Sequence, residues 1–224
     1  MRFLYICKVI VIDMEAIEHL SNSDQRLAKV IATIGVLKKD ATSIPYDSFQ
    51  FLIREIVGQM ISINAKRTIL NKLVQLCNNN ISPQTILSLS IEQLRGAGLA
   101  HSKCSYILNL AEKVSNGEIQ FDQLNELSDD EVIKYLISIK GIGNWTAKMY
   151  LLFFLEREDV LPYEDGAFLQ AYKWLYATKE TTQESILSNC KKWKPYSSIG
   201  ARYMYRALDT GLTKIPINEF LGNK

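Results

Sequence analysis

Apolar residues along this chain recur with the period of an α-helix. Leu52, Ile53, Ile56, Val57, Met60 and Ile61 fall on one helical face, as do Ile69, Leu70, Leu73 and Val74, the spacing that lets a single stripe face a core. Strand-like alternation is nearly absent after residue 20. Turn-forming clusters punctuate the pattern at Ile44-Pro45, Asn78-Asn79-Asn80, Ser82-Pro83, Gly96-Ala97-Gly98, Asn116-Gly117, Gly141 to Gly143, Leu161-Pro162, Lys194-Pro195 and Ile215-Pro216. The expected fold class is therefore all-α, with many helices of ordinary length. Ser82, Ser90 and Ser128 each precede an apolar-periodic run and read as N-caps, and Glu131 completes a capping box with Ser128. No low-complexity linker or internal repeat divides the chain, so two lobes would have to share one continuous core.

The apolar stretch from Phe3 to Ile12 departs from this pattern. It is broken by Lys8, followed at once by Asp13 and Glu15, and too short to span a membrane. A signal peptide would need a longer apolar run and a small-residue cleavage site. Residues 1–13 are read as a strand-like arm, or as an extension upstream of a start at Met14, and no export is expected.

With 224 residues, 47% of them hydrophobic, the chain can bury a sizeable core. Its formal net charge of +2 excludes a polybasic tail, yet residues 191–206 hold Lys191, Lys192, Lys194, Arg202 and Arg206 and no acid, a local basic patch. Cys7, Cys77, Cys104 and Cys190 show no C-x-x-C spacing, which argues against structural zinc, a redox pair or an iron–sulfur cluster and for reduced intracellular thiols. His19 and His101 have no neighbouring ligand or nucleophile in the sequence and read as surface or packing residues.

The segment from Leu136 to Phe168 carries the candidate chemistry. Ile139-Lys140-Gly141-Ile142-Gly143 can turn tightly enough to aim backbone N–H groups outward at the start of the helix opened by Asn144 and Trp145. An anion such as a DNA phosphate suits that turn; a glycine C-cap between packed helices is the alternative. Downstream, Glu164 and Asp165 are either acids favouring the start of a following helix or a functional carboxylate pair.

Gly141-Ile142-Gly143-Asn144-Trp145-Thr146-Ala147-Lys148-Met149 resembles the helix-hairpin-helix of the DNA glycosylase superfamily, in its 3-methyladenine (AlkA-like) branch. Arg54 to Ser62, Leu94 to Leu99 with Lys103, and Trp193 to Ser198 resemble further segments of that family in the same order. The likeness runs from about Met14 to Leu208. One hairpin is shared by many sequence-blind clamps; four ordered segments are more specific. The resemblance implies a two-lobed, all-helical glycosylase fold across residues 14–224, with the hairpin near 136–149.

It also implies the reaction: extrusion of an alkylated purine from double-stranded DNA and hydrolysis of its N-glycosidic bond, leaving an abasic site. Asp165 falls where the family has its essential aspartate, able to stabilise an oxocarbenium-like transition state and orient water. Gly166 replaces the larger apolar residue common after that acid. Trp145 occupies the position where strand-cleaving relatives carry a nucleophilic lysine, so no Schiff base is expected. Lys148 is read as a solvated or phosphate-facing lysine.

Trp145, Tyr205 and Met149 are the expected pocket residues, with core burial the alternative for Trp145. Met60 falls at the wedge position, with an ordinary helix-face core residue as its alternative, and Gln59 is placed to meet the orphaned partner base. Gly141, Gly143, Thr146 and Lys148 are expected at phosphate, and Lys103, Lys194 and Arg202 at the DNA backbone. Backbone carbonyls of Ile137, Ile139 and Ile142 could hold a structural Na⁺ or K⁺. No redox cofactor or catalytic metal is expected. The implied protein is an intracellular monomer without a membrane partner, cytoplasmic or at the nucleoid in a bacterium and nuclear in a eukaryote. Two alternatives stay open: a noncatalytic helix-hairpin-helix DNA-binding protein, and a glycosylase for deaminated or oxidised bases.

Overall fold

The computed structural model describes residues 14–37 and 47–222; the arm over residues 1–13, Cys7 and the Ile44-Pro45 turn lie outside them. Among the described residues the regular elements are all helical. In chain order they are α1 (Met14–Ser23), α2 (Gln25–Ile34), α3 (Ser48–Gly58), α4 (Ile63–Leu76), α5 (Pro83–Leu87), α6 (Ile91–Gly96), α7 (His101–Ser115), α8 (Asp129–Ile137), α9 (Asn144–Met149), α10 (Gly166–Tyr176), α11 (Gln183–Cys190), α12 (Ser197–Asp209) and α13 (Ile217–Leu221). A π-helical turn, Tyr150–Phe154, continues α9. No helix of the described residues is long and apolar enough to cross a membrane.

Local sequence explains many of the helix starts. Ser82, Ser90 and Ser128 each accept a hydrogen bond from the backbone N–H three residues on, and Thr85, Gln93 and Glu131 reciprocate, so all three form capping boxes. These bonds satisfy donors that a helix start otherwise leaves unpaired.

The chain divides into two compact units. One is formed by Ile44–Leu155. There Leu52, Ile53, Ile56 and Val57 bury the inner face of α3 against α7 and α9, and Cys104, Ile107 and Leu110 supply the facing side of α7. The other combines Glu156–Lys224 with the first segment of the chain, up to Ser43. In it α12 packs on α2 and α10, around the fully buried Trp193, Tyr172, Tyr203 and Phe168. Burial pushes the thiols of Cys77 and Cys104 up, and that of Cys190 up to about 12.

One helical reading is corrected here. Met60 and Ile61 match the period of α3, but the helix ends at Gly58 and both residues are exposed. Ser62 is the N-cap of α4, its hydroxyl accepting from the Ala65 N–H at 3.3 Å, so the chain must leave α3 before reaching it.

Candidate functional site

In the Ile44–Leu155 unit, α8 and α9 meet through a turn pinned by buried Ile139 and Ile142, with the Ile142 N–H donating to the Ile139 carbonyl at 3.0 Å. The two glycines of this turn do different work. Gly141 has φ +91, and a Cβ there would stand 2.3 Å from Cγ of Tyr106, so only glycine fits. Gly143 is extended, at φ −107 and ψ 179, with open space where a Cβ would lie. It is exposed and no side chain caps the start of α9, which leaves the backbone approachable at the positive end of a helix.

Thr146 and Lys148, expected at phosphate, are buried on the inner side of α9. Lys148 is thus not a solvated helix lysine. Met149 has no exposed surface, so it can shape a pocket only from behind. Trp145 is half-buried. Ile137 closes α8, at the carbonyl-rich negative end of its dipole, where a cation is favoured.

The connection after α3 lies in the same unit. Met60 is fully exposed and has φ +55, the left-handed region that side-chain-bearing residues rarely occupy. The core alternative for this residue is excluded. Gln59, expected at an orphaned base, points elsewhere: its Nε2 donates to the Gly141 carbonyl at 2.9 Å and to Thr146 Oγ1 at 3.3 Å. Lys103 also turns inward, its Nζ donating to the carbonyls of Val57 at 2.8 Å and Gln59 at 2.6 Å. Burial, aided by the charge of Lys66, lowers the pKa of Lys103.

Asp165 belongs to the other unit and is buried. It is the N-cap of α10: Oδ1 accepts from the Phe168 N–H at 2.9 Å. The cap fixes the carboxylate direction in spite of Gly166, where a Cβ would meet open space. The helix-start reading of Asp165 is thus realised as this N-cap. Glu164 is exposed.

The loop leading to Asp165 is fastened to the start of α12. Ser198 Oγ accepts from the Val160 N–H at 2.9 Å, its own N–H donates to the Glu158 carbonyl at 2.9 Å, and Ser197 Oγ donates to Asp159. This loop is what the Trp193 to Ser198 segment holds. In the basic stretch around it Lys191, Lys192, Lys194 and Arg206 are exposed, Lys192 pairing with Asp24 at 3.2 Å and Lys194 with Asp159 at 3.0 Å, while Arg202 is buried. Tyr205, expected to stack on a base, is buried in α12.

Residues 53–195 match the sequence pattern of the HhH-GPD superfamily base excision DNA repair protein. The chain belongs to this superfamily. Among HhH-GPD proteins it is similar to DNA-3-methyladenine glycosylase 1 of Schizosaccharomyces pombe, at 28% identity over 192 residues and 84% of each chain. The fold is similar to that of a DNA-3-methyladenine glycosidase from Bacillus halodurans, with TM-score 0.79, 31% identity and 96% and 99% of the two chains covered. It is also similar to the S. pombe 3-methyladenine DNA glycosylase in complex with abasic DNA, with TM-score 0.78, 25% identity and 86% and 96% covered.

Reading the sequence as an HhH-GPD protein did not find the inward roles of Gln59 and Lys103, or Ser197 and Ser198 as loop fasteners. Gly58 followed four residues on by the capping Ser62 was the available signal that α3 ends before Met60.

Proposed function

We propose that this protein is a monofunctional DNA-3-methyladenine glycosylase that extrudes alkylated purines from double-stranded DNA and hydrolyses the N-glycosidic bond, leaving an abasic site. The observation that carries this reading is Asp165, a buried carboxylate held in one direction by its own helix cap, in a chain similar over most of its length to proteins bearing that name.

As the glycosidic bond lengthens, positive charge develops on the sugar, and a fixed carboxylate stabilises it and orients the attacking water. An alkylated purine is already cationic and leaves readily, so hydrolysis needs neither a redox cofactor nor a catalytic metal. The backbone at Gly141 and Gly143 grips phosphate without reading sequence. A Na⁺ or K⁺ held by the carbonyls of Ile137, Ile139 and Ile142 would add positive charge to that grip. Met60 fills the gap left by the extruded nucleotide, and Trp145 stacks on the electron-poor base. A tryptophan at position 145 forms no Schiff base. The reading further makes the protein an intracellular monomer acting on damaged DNA.

Release of free bases from alkylated duplex DNA, resolved by mass spectrometry, tests this. Wild type is expected to release 3-methyladenine or 7-methylguanine without strand cleavage. Asp165→Asn keeps a good N-cap and should bind DNA while losing roughly a hundredfold or more of the release rate. Equal release by both proteins removes Asp165 from the chemistry. Binding without release by wild type favours a noncatalytic clamp or another lesion, and borohydride trapping of a covalent complex would overturn the monofunctional assignment.

A further inference from the structure

The connection between α3 and α4 holds a methionine in a state that packing alone would not select. Met60 is fully exposed and left-handed, whereas glycine or asparagine is the usual solution at such a backbone position. Strained residues persist where their surroundings over-determine them, and here the surroundings are explicit. Lys103 Nζ reaches from α7 to the carbonyls on either side of Gly58, those of Val57 and Gln59, at 2.8 and 2.6 Å. A cation at the carbonyl end of α3 is electrostatically favoured, and Gln59, immediately before Met60, is in turn bonded to the hairpin carbonyl of Gly141.

From this geometry we infer that Lys103 is a positioning residue for damage recognition: its ammonium group holds the end of α3 so that Met60 is presented rigidly to the gap in the DNA. Lys103 does not itself touch DNA in this arrangement; it acts through the Gln59–Met60 backbone. The Gln59 amide makes that presentation continuous with the Gly141–Gly143 turn, so the phosphate grip and the wedge move as one body. The inference rests on the glycosylase reading and on Met60 as its wedge.

The test compares affinity for a duplex carrying a tetrahydrofuran abasic-site analogue with affinity for the intact duplex, at one salt concentration. Lys103→Met retains the aliphatic stem and removes the donors. It should reduce the preference for the abasic duplex roughly tenfold, the scale of losing charge-assisted hydrogen bonds, while intact-duplex affinity stays within about twofold. Lys103→Arg keeps the cation and should restore most of the preference. In a Met60→Ala background Lys103→Met should have no further effect, because the residue through which it acts is gone. Lys103→Gln, which keeps an N–H donor, should give an intermediate loss and serves if Lys103→Met is too unstable to assay.

Equal loss on both duplexes, or effects that multiply in the double variant, would overturn the positioning role. Base release and abasic preference by wild type, measured alongside, keep that failure separate from failure of the glycosylase reading. If wild type shows neither, the underlying reading falls and the inference with it.

Discussion

Met60 is held at φ +55 with its side chain fully in water, and both properties are unfavourable for folding. A left-handed backbone costs an L-residue about 1–2 kcal/mol, and asparagine tolerates it better. Met60→Asn should therefore stabilise the protein by about 0.5–1 kcal/mol while weakening the preference for abasic over intact duplex. Urea unfolding beside the binding comparison checks both halves. A variant that is less stable than wild type would mean that the backbone strain is absent, and an unchanged preference would remove Met60 from the wedge role. Asp165 shows the opposite economy: one side chain serves the fold as the cap of α10 and, in the proposed reaction, faces the sugar with the direction the cap gives it.

The hairpin between α8 and α9 separates conformational need from ligand access within three residues. Gly141→Ala drives a Cβ into Tyr106 and forbids the required φ, so a loss of about 2 kcal/mol or more is expected. Gly143→Ala meets neither obstacle and should leave stability within about 0.5 kcal/mol. Its methyl group would instead crowd the approach of phosphate, lowering affinity for damaged and intact duplex by the same factor, because backbone contacts carry no sequence information. Melting temperature and binding measured together distinguish the two; tight DNA binding by Gly143→Ala would argue against phosphate at this turn.

The hairpin and the serine caps were legible in the sequence because they are local: Ser128 and Glu131 or Gly141 and Gly143 state their geometry within a few positions. The end of α3 was not, because Met60 continues the apolar period although the chain has left the helix. The side chains that hold that end come from elsewhere, Lys103 lying 46 residues beyond Val57, and no periodicity reports such a partner. For the same reason the basic run after residue 190 did not show that Lys192 and Lys194 are held by Asp24 and Asp159, or that Arg202 is buried among its exposed neighbours.

Long-range closure is most evident around Asp24, because the unit that contains it joins the first segment of the chain to Glu156–Lys224 across an intervening unit. Asp24 is almost wholly buried. Its Oδ1 caps α2 through the N–H groups of Arg26 and Leu27, while Oδ2 accepts from Tyr176 Oη and Trp193 Nε1 and pairs with Lys192. Burial alone would raise its pKa, but the hydrogen bonds from Tyr176, Trp193 and Leu27 and the charge of Lys192 together outweigh it and hold the carboxyl below the usual aspartate range. A depressed folded-state pKa stabilises the protein fully above the unfolded value, about 4, and that contribution is lost as pH falls through the folded value. Asp24→Asn, which removes the charge and cannot offer two accepting oxygens, should cost about 2–4 kcal/mol near neutrality. The gap between wild type and variant should narrow as pH is lowered from about 5 to 3, because wild type then loses the same charge. Urea midpoints across that range measure it. A gap that stayed constant would show that the geometry of the carboxyl, and not its ionisation, ties the first segment of the chain to the last.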